Sequence, residues 1–82
     1  MKEFKVAVKI SLRPELFDPE GKTIERAINR LGIEVQDARV SKVVEFKIHA
    51  SDQNEVREKV EEIVKKFLAN PVLHTYTIQI EE

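Results

Sequence analysis

The strongest structural signal in the sequence is a helix start at Asp18-Pro19-Glu20-Gly21. Asp18 is a suitable N-cap because its carboxylate can accept hydrogen bonds from the free N–H groups of the first turn, and Pro19 fits the first helical position. An apolar face follows at helical spacing, formed by Ile24, Ala27, Ile28 and Leu31. Gly32 suits the position after the last turn. The pattern predicts a helix over residues 19–31, and the other elements can be placed on either side of it.

Alternating apolar residues predict four strands, at residues 4–12, 33–40, 44–50 and 72–80. In the second strand the alternation changes phase, which predicts a bulge near Gln36-Asp37. Ser41-Lys42 is predicted to form the turn between the second and third strands.

A second amphipathic helix is predicted between the third and fourth strands. It begins after Asp52, which resembles a capping box with Glu55, and it stops before Asn70-Pro71. The order of elements is therefore βαββαβ.

This order predicts one domain over residues 1–82, because two amphipathic helices need a common sheet face on which to bury their apolar residues. Right-handed crossovers then favour an α+β, two-layer, ferredoxin-like sandwich with a four-stranded antiparallel sheet and two helices on one face. The other sheet face is left uncovered and is a natural place for a second subunit to pack. It would show Lys5, Ala7, Lys9, Val43, Glu45, Lys47, Leu73, Thr75 and Thr77.

Composition restricts the chemistry that the chain can perform. Its 82 residues carry 14 basic and 15 acidic side chains, and a net charge of -1 gives no general field to hold a nucleic-acid backbone. The absence of cysteine excludes disulfides, thiolate metal sites and cysteine nucleophiles. His49 and His74 are far apart in sequence, and no spacing supports a catalytic triad with Ser11 or Ser51. We expect no catalytic residue, cofactor, metal or nucleic-acid partner.

Length and hydropathy add two further expectations. The chain has neither an apolar run long enough for a membrane span nor a leader-like segment, so we expect a cytoplasmic protein without a membrane partner. A chain of this size buries only about 60–65% of the surface that its unfolded form exposes, and small proteins without disulfides are often stabilised by oligomerisation. Self-association is therefore expected.

Gly21 is not explained by the helix start. Alanine would be better in the first turn by up to about 1 kcal/mol, and no positive φ is required there. A close approach by another surface is one explanation. If that surface is a partner subunit, a bulky residue here should spare folding and weaken assembly. A small-ligand regulatory domain of the ACT type and a small hydrolase remain alternatives from the residues alone.

Several segments together resemble the PurS family, the small subunit of phosphoribosylformylglycinamidine synthase. They are Leu12-Arg13-Pro14, Phe17-Asp18-Pro19-Glu20-Gly21-Lys22, Ala27-Ile28, Leu31-Gly32, Ala38-Arg39-Val40-Ser41-Lys42 and Asn70-Pro71-Val72-Leu73 with Tyr76. The resemblance covers essentially the whole chain. One departure is Ser41, where the family usually has glycine.

The resemblance implies a subunit without catalytic residues. The synthase converts formylglycinamide ribonucleotide to formylglycinamidine ribonucleotide with ATP and glutamine, in purine biosynthesis. A large subunit performs the ligation, a glutaminase subunit releases ammonia, and PurS-type dimers or tetramers join the two and assist ammonia transfer. By analogy, the partner contacts are expected at Asp18, Pro19, Gly21, Lys22, Arg39, Lys42, Asn70, Pro71 and Tyr76.

Overall fold

The computed structural model describes residues 1–82 as an α+β chain of three strands and two helices. The elements are β1 (Lys2–Leu12), α1 (Pro19–Arg30), β2 (Ser41–Ala50), α2 (Gln53–Ile63) and β3 (His74–Glu81). Helix α2 continues directly into a π-helical segment at Val64–Leu68, where the Ala69 N–H donates to the Val64 carbonyl at 3.0 Å. No helix combines the length and the apolar character needed to cross a membrane.

The three strands form one antiparallel sheet in the order β2-β1-β3. The even-numbered side chains of β1 point to the face that α2 covers, and α2 buries its own apolar stripe against them. The resulting core consists of Phe4, Val6, Val8, Ile10, Ala50, Val56, Val60 and Val64. These are eight of only 10 buried residues among 82, so the core is as thin as the chain length predicts.

The prediction that both helices cover one face of the sheet is wrong, because α1 does not cover the sheet. Only α2 makes substantial contacts with the strands. On α1, the side chain of Ile24 is 41% exposed, and Leu31, which caps the helix, is 76% exposed. We call α1 together with residues 31–40 the arm. The radius of gyration is 16.3 Å, against about 12 Å for a compact chain of this length, and the longest dimension is 52 Å.

The predicted fourth strand is also wrong. Residues 33–40, which we call the return segment, form no strand, and none of their backbone groups bonds to another backbone group. Side chains of α1 and its cap accept three of the backbone N–H groups instead. These bonds run from Val35 to Asn29 Oδ1 at 2.9 Å, from Ala38 to Glu25 Oε1 at 3.1 Å, and from Val40 to Asp18 Oδ2 at 2.9 Å.

The predicted turn at Ser41-Lys42 is absent because the return segment does not fold back on β2. Both residues belong to β2, where Ser41 lies opposite Ser11. The chain runs directly from the return segment into β2, so position 41 needs no glycine. The change of phase predicted as a bulge coincides with Asp37, whose φ of 56° places it in the left-handed region.

The predicted helix boundaries are confirmed at their caps. Asp18 accepts a hydrogen bond from the Gly21 N–H at 2.9 Å, and Asp52 accepts one from the Glu55 N–H at 2.9 Å. Gly32 follows α1 with a φ of 87°, a conformation that favours glycine. The Asp18 cap matters most for the rest of the fold, because the same carboxylate also holds the return segment.

Candidate partner-contact site

The three segments expected to contact partners meet at one end of the sheet, where β1 ends and β2 and β3 begin. Arg39 joins the return segment to the link after β1, donating from Nη1 to the Leu16 carbonyl at 2.7 Å and from Nη2 to the Arg13 carbonyl at 3.0 Å. Arginine suits this task because its planar guanidinium carries five donors in fixed directions. The Asp18 segment and the Arg39 segment are therefore fixed to the same part of the chain.

Arg13 joins the third segment to this cluster. Its Nε donates to the Val72 carbonyl at 3.1 Å, and its Nη2 donates to the Pro71 carbonyl at 2.6 Å. The Arg13 backbone N–H also donates to the Leu73 carbonyl at 2.9 Å. The sequence indicated only the end of a strand at Arg13, and no local pattern shows that an arginine side chain spans 58 residues to reach a loop.

The loop before β3 is further fixed by its own polar groups. Asn70 Oδ1 accepts from the Val72 N–H at 2.9 Å, and the Asn70 N–H donates to His74 Nδ1 at 2.9 Å. His74 is therefore bonded to the backbone of its own loop. Val72 remains 76% exposed on this hydrogen-bonded loop, which gives the end of the sheet an apolar projection.

The other predicted contact residues differ in accessibility. Pro19, Lys22 and Lys42 are exposed, and Lys22 forms an ion pair with Glu25 at 3.1 Å. Tyr76 is half-buried and packs against the core beneath α2, opposite Ile10 on β1. Tyr76 therefore lies apart from the exposed cluster.

Asp18 is the electrostatic centre of the cluster. It is 7% exposed, and its two oxygens accept from the Val40 and Gly21 N–H groups at 2.9 Å each. The hydrogen bond from Val40 is the main cause that lowers the pKa of Asp18, followed by the bond from Gly21, with a smaller contribution from the charge of Arg39. For Glu25, a residue that the sequence did not single out, the Lys22 hydrogen bond and then the Ala38 N–H lower the pKa of the carboxyl group.

Acid should therefore loosen the arm before it unfolds the sheet. The carboxyl groups of Asp18 and Glu25 have a lower pKa in the folded state than in the unfolded state. Each therefore stabilises the fold fully above its unfolded-state pKa of about 4. This stabilisation is lost as the pH falls through the lower folded-state pKa. We expect the amide protons of Ala38 and Val40 to lose protection between about pH 5 and pH 2, while that of Val8 in the central strand stays protected. Hydrogen exchange followed by NMR measures this difference.

An Asp18→Asn variant is the matched control for this expectation, because the amide keeps a cap oxygen and does not titrate. The protection of the Val40 amide should then vary less with pH than in the unmodified chain. Equal protection of the arm and sheet amides at about pH 5 and at about pH 2 would contradict the role assigned to the carboxylates of Asp18 and Glu25.

Gly21 is required by a contact within the chain. A Cβ atom built on Gly21 would lie 2.3 Å from the Ala38 carbonyl oxygen and 3.0 Å from Arg39 Cα. The close approach inferred from the sequence exists, but the approaching surface is the return segment of the same chain. The expectation that a bulky residue here spares the fold is therefore replaced by the opposite one.

An open groove of about 620 Å³ lies beside the cluster, between the arm and the open face of the sheet. Its floor carries the hydroxyl groups of Ser11, Ser41 and Thr75, with Ser11 Oγ and Ser41 Oγ 2.7 Å apart, and Phe17 on its lining is 73% exposed. Arg39 also lines the groove, but its guanidinium already bonds two carbonyl groups. The groove offers a surface of hydroxyl and aromatic groups next to the hydrogen-bonded cluster at the end of the sheet.

Comparison with known proteins identifies the family of this chain. The profile described as PurS, phosphoribosylformylglycinamidine (FGAM) synthase, matches residues 5–82. The chain belongs to the PurS family. The PurS subunit of phosphoribosylformylglycinamidine synthase from Methanocaldococcus jannaschii is 40% identical over 80 residues, which cover 96% of each chain.

Solved PurS structures share the architecture as well. The crystal structure of Methanocaldococcus jannaschii PurS, a subunit of formylglycinamide ribonucleotide amidotransferase, superposes with a TM-score of 0.86 at 41% identity and covers 96% of both chains. A chain of the Thermotoga maritima PurLQS structure superposes with a TM-score of 0.91 at 30% identity, covering 98% of this chain and 99% of that one. An elongated chain with a projecting arm is therefore similar to PurS as it occurs in a multi-subunit assembly.

Proposed function

We propose that this chain is a non-catalytic subunit of phosphoribosylformylglycinamidine synthase that bridges the ligase and glutaminase subunits in the cytoplasm and assists the transfer of ammonia between them. The observation that carries the proposal is its full-length similarity to a chain of the Thermotoga maritima PurLQS structure, with a TM-score of 0.91. Its part in the reaction is to hold two partners in position, and its own side chains perform no chemical step.

The arrangement of surfaces supports a bridging role. The cluster around Arg13 and Arg39 holds three loop segments rigidly at one end of the sheet, and rigid surfaces bind partners with little loss of conformational entropy. The open face of the sheet is largely exposed, with Val43 of β2 56% exposed and Leu73, just before β3, 41% exposed. These two adjoining surfaces can each receive a different protein.

Self-association is part of the same proposal. The chain exposes 6225 Å², whereas a compact monomer of its mass exposes about 5,000 Å². The excess of about 1,200 Å² is larger than the area of about 800 Å² that each partner buries in a standard interface. We propose that the chain forms a dimer, or a tetramer built from dimers, before it meets the other two subunits.

The alternative of a regulatory ligand-binding module gains no support from the groove. A small-molecule site needs polar groups free to fix a ligand, and two of the charged groups that line the groove, Asp18 and Arg39, already have partners. Asp18 bonds two backbone N–H groups, and Arg39 bonds two carbonyls. The bridging role is therefore the function we propose.

Assembly in solution tests the bridging role. We expect the ligase and glutaminase subunits to sediment together when this chain is added and to sediment separately without it. The matched control is an Arg13→Ala, Arg39→Ala variant, which loses the bonds that fix the contact segments and should recover less of the complex. If the two subunits associate equally well in the absence of this chain, the bridging role is refuted.

A further inference from the structure

The outer edge of β3 carries backbone groups that have no partner in the chain. Because the sheet order is β2-β1-β3, β3 has a neighbouring strand on one side only. The bond from the Arg13 N–H to the Leu73 carbonyl marks a bonded pair of opposite residues, and bonded and non-bonded pairs alternate along an antiparallel ladder. The odd-numbered residues of β3 therefore direct their N–H and carbonyl groups at β1, and the even-numbered residues direct theirs outward.

A row of free donors and acceptors lies along this edge. The outward N–H of His74 is satisfied by the Asn70 carbonyl at 2.8 Å. Further along the strand, no turn, loop or side-chain hydrogen bond reaches the backbone of residues 75–81. The free groups are the N–H and carbonyl groups of Tyr76, Ile78 and Ile80. Such a row is a template on which another extended chain forms hydrogen bonds.

The edge of β3 lacks the features that usually keep a strand from pairing with another chain. Those features are lysines, prolines, bulges and covering loops. β3 runs for 8 residues in unbroken register with β1, and it contains no proline, lysine or arginine. By contrast, the other outer strand, β2, carries Lys42 and Lys47. The β3 edge is therefore the one suited to a partner strand.

The side chains of β3 indicate what kind of strand fits beside it. On the helix-covered side, Tyr76, Ile78 and Ile80 are only partly buried, so apolar residues at alternate positions of an added strand would extend the core. On the open side the strand is polar, and its one charged side chain there is that of Glu81. A basic residue opposite Glu81 would form a cross-strand pair of opposite charge.

We propose that an extended segment of a partner subunit adds to the sheet along the outer edge of β3, with apolar residues at alternate positions and a basic residue beside Glu81. This inference rests on the proposed bridging function and names a surface through which one of the other two subunits is held. The edge begins beside the loop that Arg13 fixes, so the added strand continues that contact surface. A second copy does not supply the strand, because its β3 has no basic residue to meet Glu81 and its β2 could add only head to tail, which does not close a pair.

Hydrogen exchange with residue-resolved NMR detection tests this arrangement on the full chain, alone and with each purified partner subunit. In the chain alone, the β1 ladder should protect the amides of Thr77 and Gln79, and those of Ile78 and Ile80 should exchange at least about ten-fold faster. The subunit that supplies the strand should slow exchange at Ile78 and Ile80 by at least about ten-fold and leave Thr77 and Gln79 little changed. Protection of Ile78 and Ile80 in the chain alone would show that a second copy covers the edge, and it would overturn the proposal.

An Ile78→Pro variant gives an independent readout, with Ile78→Ala as its matched control. Both variants lose the isoleucine side chain, but only proline removes the outward N–H, and edge strands tolerate proline where that group faces away from the sheet. We expect Ile78→Pro to bind the partner subunit about ten-fold more weakly than Ile78→Ala. Equal affinities of the two variants would overturn the proposal, and if Ile78→Pro does not fold, the exchange measurement decides.

The outcomes separate this inference from the bridging role on which it rests. If a partner subunit binds the chain while Ile78 and Ile80 stay unprotected, pairing along the β3 edge is refuted and the bridging role stands. If neither subunit binds the chain, both are refuted.

Discussion

Replacing Gly21 with alanine should lower the free energy of unfolding by about 1–2 kcal/mol, although alanine is the better helix former. Helix propensity alone predicts a gain of up to about 1 kcal/mol in the first turn. The added Cβ would lie 2.3 Å from the Ala38 carbonyl oxygen, so the return segment must move, and overpacking of this kind costs about 1–3 kcal/mol. Movement at Ala38 also strains the two bonds of Asp18, because Val40 lies only two residues further on. The measurement is urea unfolding at equilibrium.

Arg26→Ala is the matched control for this change. Arg26 is an exposed residue of the same helix and makes no hydrogen bond or ion pair with another side chain. Its replacement should change the free energy of unfolding by no more than about 0.5 kcal/mol. If Gly21→Ala raises the stability, helix propensity dominates and the contact between α1 and the return segment is not the reason for glycine.

The sequence predicts most local elements correctly because their signals are local. The cap at Asp18, the stop at Gly32, the cap at Asp52 and the three paired strands each depend on a few neighbouring residues, and all are present. Alternation in β1 also identifies the buried face, since Phe4 and Val8 lie beneath α2.

The fourth strand shows where a local pattern is insufficient. Ile33 and Val35 alternate as strand residues do, but alternation does not specify which neighbour accepts the backbone N–H groups. Here side chains of the arm accept three of them, and Asn29 and Glu25 show no sign of this role in a helical pattern whose polar residues are ordinarily solvated. The prediction that α1 lies beside α2 on one sheet face fails with the strand, because α1 and the return segment leave the sheet together.

The sequence allowed the residues of the candidate site to be named, but it did not show that they lie together on one surface. Asp18, Arg39 and Asn70 could be named from the family resemblance, while the contacts that bring them to one end of the sheet depend on Arg13 and on carbonyl groups far along the chain. Tyr76 was named with them, and its half-buried position under α2 follows from the register of β3. Side-chain to backbone bonds over long sequence separations leave no periodic signal.

In the proposed function, this chain joins two catalytic subunits without taking part in the chemistry. An adaptor that binds two proteins makes their encounter effectively intramolecular, and avidity can then exceed either single affinity by factors of about 10² to 10⁴ without any new catalytic group. The effect should therefore be large for turnover that depends on ammonia released by the glutaminase subunit. It should be small when ammonia is already present throughout the solution.

The decisive measurement is turnover by the ligase and glutaminase subunits, with and without this chain, using either glutamine or a high concentration of ammonium chloride as the nitrogen source. With glutamine, we expect the chain to raise turnover by roughly ten-fold or more, and with ammonium chloride we expect little change. The chain alone should show no turnover with either source. Equal rates with glutamine in the presence and absence of the chain would contradict the proposed bridging function.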